Sequence, residues 1–363
     1  MSRPSAETAR PSSPDVAAVR DADDDGRAAA RRPIDRRPTG PRPTGRRLGG
    51  RWFLLGVAVT LVLLGCSVAV GQYDAFSADG FWMVGITRIP RTIGLILAGA
   101  SMAMCGLIMQ LLTQNRFVEP TTTGTTEWAG LGLLLVMIVA PQASLTVKML
   151  GATTMAFLGT MVFFLFLRRV SLRSSLVVPI IGIMLGAVVG SISTYLALMT
   201  DMLQTLGIWF AGSFTSVIRG QYEVLWIVLI VAVLIFFVAD QFTVAGLGKE
   251  TATSVGLNHG AVVLLGTAMV AVATGVTATV VGTLPFLGLV VPNLVSMIRG
   301  DDLRSNLPWV CLAGISVVTA CDLLGRTIRA PFEIPVGLVL GLVGSVVFVA
   351  LLLVQRRRGA IST

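Results

Sequence analysis

Two carboxylates, Glu127 and Asp322, stand inside long apolar runs, and two arginine pairs, Arg88 with Arg91 and Arg326 with Arg329, stand at the ends of such runs. A carboxylate in that setting can carry protons, because burial penalises its charged form. A guanidinium group in that setting can hold an acidic partner through paired hydrogen bonds. Both features also have plainer accounts. Asp322 and Glu127 fall near the ends of their runs, so either can be a satisfied structural group or a helix-end charge. Two groups so placed do not make a proton relay. The arginines can snorkel or pair locally, for example with Glu333 or Asp74. Alternatively they form a basic ring that docks an acidic protein. Several pairs would then be needed, since an exposed pair contributes only about 0.2–1 kcal/mol.

Other chemistries lack their residues. There is no GxxxxGK[ST] phosphate loop, so the chain does not hydrolyse ATP by itself. There is no HExxH, and with one histidine, His259, a histidine-rich metal site is excluded. The four cysteines, Cys66, Cys105, Cys311 and Cys321, lie in apolar runs, which argues against a disulfide framework. The expectation is a chain with no catalytic residues, no resident metal and no cofactor. Asn115 and Asn293 read as helix-end caps, as do Thr251 or Thr253 more locally. "LLGC" at Leu63–Cys66 resembles a lipoprotein cleavage box, but it follows a long polar segment and runs on into apolar "SVAVG".

The elements that position these groups follow from composition. Of 363 residues, 54% are hydrophobic and only 13% charged, with a mean hydropathy of +0.82. Soluble domains carry about 25% charged residues. The chain reads as an all-α polytopic membrane protein of about ten transmembrane helices. Spans are expected at 52–71, 92–113, 121–140, 146–167, 176–199, 222–240, 260–282, 285–298, 307–325 and 335–354. The eighth is short and contains Pro285 and Pro292, so it must pack on protein or line a cavity. Residues 1–50 hold eleven arginines and seven acids with almost no large apolar side chain, and read as a disordered basic cytoplasmic tail ahead of a ten-span domain at 51–358. Basic residues recur in that tail, in "RRVSLR" after span four, in "GKE" after span six, in "RGDDLR" after span eight and in "QRRRG" after span ten. With ten spans all of these fall on one side, which puts both termini in the cytoplasm. The net charge of +9 is accounted for in this way, without nucleic acid. On the same count Arg88, Arg91, Arg326 and Arg329 face outward, against the trend.

Glycine is the remaining signal, with 39 in the chain, about 11% against a usual 7%. Gly182, Gly186 and Gly190 repeat every four residues in span five, and Gly337 and Gly341 do so in span ten. Small residues at that spacing let helix backbones approach closely. Intrachain packing, a dimer seam and the wall of a path for a bulky solute all fit. The loop at 241–259, "QFTVAGLGKETATSVGLNH", carries a short helical stretch on the cytoplasmic side, fit for a contact surface or idle.

Four stretches together resemble the FecCD-like permease subunits of type II ABC importers for iron–siderophore, haem and cobalamin uptake. They are "RIPRTIGLILAGASMAMCGLIMQLLTQNRFVEPTTTGTTEWAGLG", "LGKETATSVGLN", "VVGTLPFLGLVVPNLVSMIRGDDLRSNLPWV" and "CDLLGRTIRAPFEIPVGLVLGLVGSVVFVALLL". They are similar in order to that family's R-L-P-R start with its T-x-N-P-L-A turn, its L-G-E-x-A-x-x-L-G loop, its G-L-V-V-P-H signature and its P-x-E-[IL]-P-V-G ending. "NRFVEP" departs from N-P-L-A and "VPN" from V-P-H; with "PTTTGTTEW" these variants resemble the subgroup that moves catecholate-type ferric siderophores.

The resemblance implies the type II importer permease fold in a bacterial cytoplasmic membrane, alternating access, and a homodimer or heterodimer with a second permease subunit. It implies a cytoplasmic ATPase dimer docked on Lys249, Glu250, Thr251, Ala252, Thr253, Ser254, Val255, Gly256 and Leu257. It implies an extracytoplasmic siderophore-binding protein whose acidic knobs meet Arg88, Arg91 and Arg326. Spans five and ten, with Gly182, Gly186, Gly190, Gly337 and Gly341, are expected to line the path. Val170, Ser171 and Ser174 are expected at a cytoplasmic gate. A haem or cobalamin importer is the alternative within the family; a proton-coupled secondary carrier is the alternative outside it.

Overall fold

Backbone amides in hydrocarbon have no water to bond, so a run of apolar residues long enough to cross a bilayer hides them in a helix. The computed structural model describes residues 50–71, 82–169, 177–300 and 302–361, with backbone alone at 355–361. Among these residues every regular element is helical. In chain order they are α1 (Gly50–Ala69), a π-helical turn (Val84–Arg88) leading into α2 (Ile89–Leu112), α3 (Thr125–Val139), α4 (Leu145–Arg169), α5 (Val177–Met199), α6 (Leu203–Ala211), α7 (Trp226–Gly246), α8 (Lys249–Ser254), α9 (His259–Val280), α10 (Leu287–Arg299), α11 (Leu303–Thr327) and α12 (Val336–Ile361).

Eight of the helical stretches are long and apolar enough to cross a membrane, and α3 and α10 are apolar but shorter. They take the ten expected places in order. α10 has 13 residues, about 20 Å of helix against a hydrocarbon core of about 30 Å. Of the two prolines only Pro292 lies inside the helix, and Pro285 precedes it. The shortness of α10 was expected. That of α3 was not: the span expected from 121 begins at Thr125, because Gly124 takes a left-handed φ of 79° and 113–124 are turns. α6 was also unexpected, being only nine residues long. The residues expected at the gate, Val170, Ser171 and Ser174, lie outside the described residues, as do Asp74 and the tail before Gly50.

α2 and α9 form the buried centre. Leu95, Ala98, Met104, Ile108 and Met109 of α2, and Val270, Ala273 and Val276 of α9, are fully buried. α1, α5 and α12 instead expose large apolar side chains, such as Leu61, Met184 and Leu342. Lipid is as apolar as leucine, so close approach has to hold such helices together. α2 and α10 touch backbone to backbone, where a methyl group on Gly106 would collide with the Gly288 carbonyl. α1 packs chiefly on α11. There Thr60 Oγ1 and Ser316 Oγ are 2.8 Å apart, and Phe53 meets Trp309 edge-on at 5.2 Å.

Candidate functional site

At one end of the bundle the last turn of α1 leaves carbonyls without partners, and no basic residue of α1 itself lies there to meet them. Arginines from two other helices do so. Arg88 donates to Val68 O at 3.0 Å and Ala69 O at 3.2 Å. Arg326 donates to Ser67 O at 3.1 Å, Val70 O at 3.0 Å and Ser67 Oγ at 2.7 Å. Arg91 stands between two carboxylates. It donates to Asp322 Oδ1 at 2.7 Å and forks onto Glu333 at 2.9 and 3.1 Å. Asp322 is 2% exposed, and its second oxygen lies 3.1 Å from Arg326 in charge contact without hydrogen-bond geometry.

Arg88, Arg91 and Arg326 therefore come together beside a cavity of about 540 Å³ that Glu333 and Thr215 also line. The local pairing of Arg91 with Glu333 is present as well. Arg88 and Arg326 are 8% and 9% exposed, so they are less a free ring than a clasp on α1. Asp322 is thus held between two arginines, with one oxygen hydrogen-bonded and the other in charge contact alone. Arg329 is exposed and lies over the Phe332 ring at 6.0 Å.

At the other end the 241–259 loop forms α8. Gly248, at a φ of 107°, starts it, and Gly256, at 82°, follows it. Ala252 is fully buried and Leu257 packs on the core, so these two anchor the segment. Lys249, Glu250, Thr251, Thr253, Ser254, Val255 and Gly256 are exposed. Thr253 is not a cap, since its hydroxyl bonds back to the Lys249 and Glu250 carbonyls. The actual cap is Asn258, whose Oδ1 accepts from Ala261 N at the start of α9.

The glycine repeats divide. Gly182 and Gly186 of α5 pack on the 113–124 turn, where a methyl on Gly182 would strike the Thr122 carbonyl. Gly337 of α12 meets the Ala211 and Thr283 carbonyls in the same way. Gly190 has nothing within 4 Å and Gly341 only Pro285 at 3.8 Å. Intrachain packing thus accounts for three, and the open faces of α5 and α12 carry the other two.

Between the two ends lies a residue the sequence reading passed over. Glu119 is 2% exposed. Its Oε1 accepts from Thr121 Oγ1 at 2.6 Å and from Phe286 N at 3.0 Å, which caps α10 from another segment. Burial pushes its carboxyl up to about 7, against the bonds from Thr121 and the Phe286, Leu289 and Gly288 amides that hold it down. The motif position "VEP" was the only signal, because the partners are backbone amides. Glu127 lies in the first turn of α3, accepts from Thr126 Oγ1 at 2.9 Å and faces Gly186, as a helix-end charge does. Asn115 accepts from Phe117 N at 2.9 Å in a local turn. Asn293 is no cap; it sits within α10 and donates to Arg116 O at 2.7 Å.

Residues 52–354 match the FecCD transport family. The chain belongs to that family. This FecCD chain is 56% identical over 306 residues to the petrobactin import system permease protein of Bacillus anthracis, covering 84% of this chain and 92% of that protein. It is 39% identical over 300 residues to the petrobactin import system permease protein of Bacillus subtilis, covering 81% and 95%. A solved structure of a metal-chelate type ABC transporter in an inward-facing conformation has the same fold. It aligns at a TM-score of 0.72 and 20% identity over 84% of the FecCD chain and 99% of its own.

Proposed function

We propose that this FecCD chain is the membrane-spanning permease subunit of an ABC importer that takes up ferric siderophore by alternating access. The observation that carries the cargo is the 56% identity to a petrobactin import permease over nearly the whole of that protein. ATP is hydrolysed on a separate cytoplasmic ATPase dimer seated on α8, and a second permease subunit completes the path. The exposed row from Lys249 to Gly256 on a segment anchored by Ala252 and Leu257 supports this seat. The arginine end faces outward and both termini lie in the cytoplasm, which the basic loops support. An acidic siderophore-binding protein docks at the cavity beside Arg88, Arg91 and Arg326. Glu333 is 32% exposed there, so Arg91 can exchange it for an incoming carboxylate at the rim. α5 and α12 line the path with Gly190 and Gly341 on their open faces, and Val170, Ser171 and Ser174 close it at the cytoplasm.

The test is uptake of radio-iron from a panel of ferric siderophores, with haem and cobalamin alongside. Cells lacking the permease carry either the intact gene or Val255→Asp. Uptake of one siderophore class that Val255→Asp abolishes at normal expression is the expected result. Transport of haem or cobalamin alone overturns the cargo. Uptake that needs no ATPase and collapses with the proton gradient overturns the importer class.

A further inference from the structure

We infer that Glu119 is a positioning residue, holding α5 and α12 at a fixed separation through the 113–124 turn. The turn is wedged between these helices. On one side it meets α5 backbone to backbone, with the Gly124 Cα 3.2 Å from where a Cβ on Gly186 would stand. On the other side Phe117 meets Phe348 of α12 edge-on at 6.0 Å. Phe286, at the head of α10, lies 6.5 Å from the same ring, and a Cβ on Gly344 of α12 would stand 2.5 Å from its Cβ.

Ring and glycine contacts are close but do not fix direction. Directional ties fasten the wedge to α10. Asn293 holds its start through the Arg116 carbonyl, and Glu119 holds its middle through Phe286 N. The second Glu119 oxygen lies against Gly288, 3.2 Å from where its Cβ would be. Phe286, whose φ is 62°, is thereby held in the conformation that aims its ring at α12. A buried carboxylate costs free energy, and here the amides at the N-terminus of α10, with the Thr121 hydroxyl, offset part of that cost. Thr123, Thr125 and Thr160 continue the tie into α3 and α4 through hydroxyl contacts of 2.9 Å each.

This inference rests on α5 and α12 being the walls of the path, but the positioning itself can be measured without transport. Permease spin-labelled at Ile183 of α5 and Leu342 of α12, both exposed, is diluted with unlabelled permease and assembled with its ATPase and binding protein in lipid nanodiscs. In Glu119→Ala the distance distribution should broaden and shift, and maximal uptake should fall about tenfold, the scale of leaving buried amides unpaired, at an unchanged half-saturating cargo concentration. Glu119→Gln keeps one acceptor oxygen for Phe286 N and should restore a narrow distribution and most of the uptake. An unchanged distribution in Glu119→Ala overturns the inference, whatever uptake does. A shifted distribution with full uptake sustains the positioning and overturns the reading of α5 and α12 as path walls. If Glu119→Ala does not assemble, Glu119→Asp serves, since it keeps the charge but withdraws it by one methylene; a native distribution there overturns the inference.

Discussion

Asp322 shares its two oxygens between Arg91 and Arg326 at 2% exposure, so removing it leaves Arg91 to Glu333 alone and the buried Arg326 charge with neutral acceptors only in hydrogen-bond contact. Asp322→Ala should therefore cost about 3–5 kcal/mol, the scale for breaking a buried ion pair. Glu333, at 32% exposure, should lose no more than about 1 kcal/mol as Glu333→Gln. Melting curves of the purified permease in one detergent decide between these values, and equal losses would refute the clasp. Arg326→Ala removes the Ser67 and Val70 caps and should drop amide exchange protection at the end of α1. Arg91→Ala should leave that protection in place. The pairing of Arg91 with Glu333 was legible from charge and order along the chain. The capping by Arg88 and Arg326 was not, because carbonyls leave no mark in a sequence.

At the scale of elements, one repeat in α5 contains two kinds of glycine. Gly182→Ala should lower the melting temperature, since its methyl meets the Thr122 carbonyl. Gly190→Ala should hold or raise it, because the site is open and alanine is favoured over glycine in a helix by about 1 kcal/mol. Melting of both variants in the same detergent checks the pair, and a matching fall in each would mean that Gly190 too is packed. Sequence spacing identified the repeat but could not divide it, since the neighbour of Gly182 is a turn 60 residues earlier in the chain. Helix positions, by contrast, were largely legible, because a hydrophobic run of bilayer length has one way to satisfy its amides. Reading failed where backbone rather than apolarity decides: at Gly124, which delays α3, and at α6, which is too short to register as a span. α8 was legible as the short helical stretch within the 241–259 loop.

For the molecule as a whole, Glu119 links stability to pH. Its folded carboxyl titrates at about 7 against an ordinary value of 4.5. Between those values the folded state binds more protons than the unfolded one, so this contribution is complete below the lower value and is lost as pH rises through the upper. The groups bonded to it are the neutral Thr121 hydroxyl and α10 amides, so none of them reverses the sign. Melting at about pH 5 and about pH 8 should differ more in the intact protein than in Glu119→Gln. Identical differences would mean that the carboxyl is not shifted. The packing of α1 on α11 also matters while the chain is being made. Thr60 finds Ser316 only after 256 further residues have been translated, roughly 13–50 s at about 5–20 residues per second. Until then α1 stands in the bilayer with its Thr60 hydroxyl bonded only to Gly56 O of its own helix and with Ser67 lacking the Arg326 donor. A quality-control protease reading polar groups that face lipid instead of a partner helix would find its substrate there, in any nascent chain that stalls before α11.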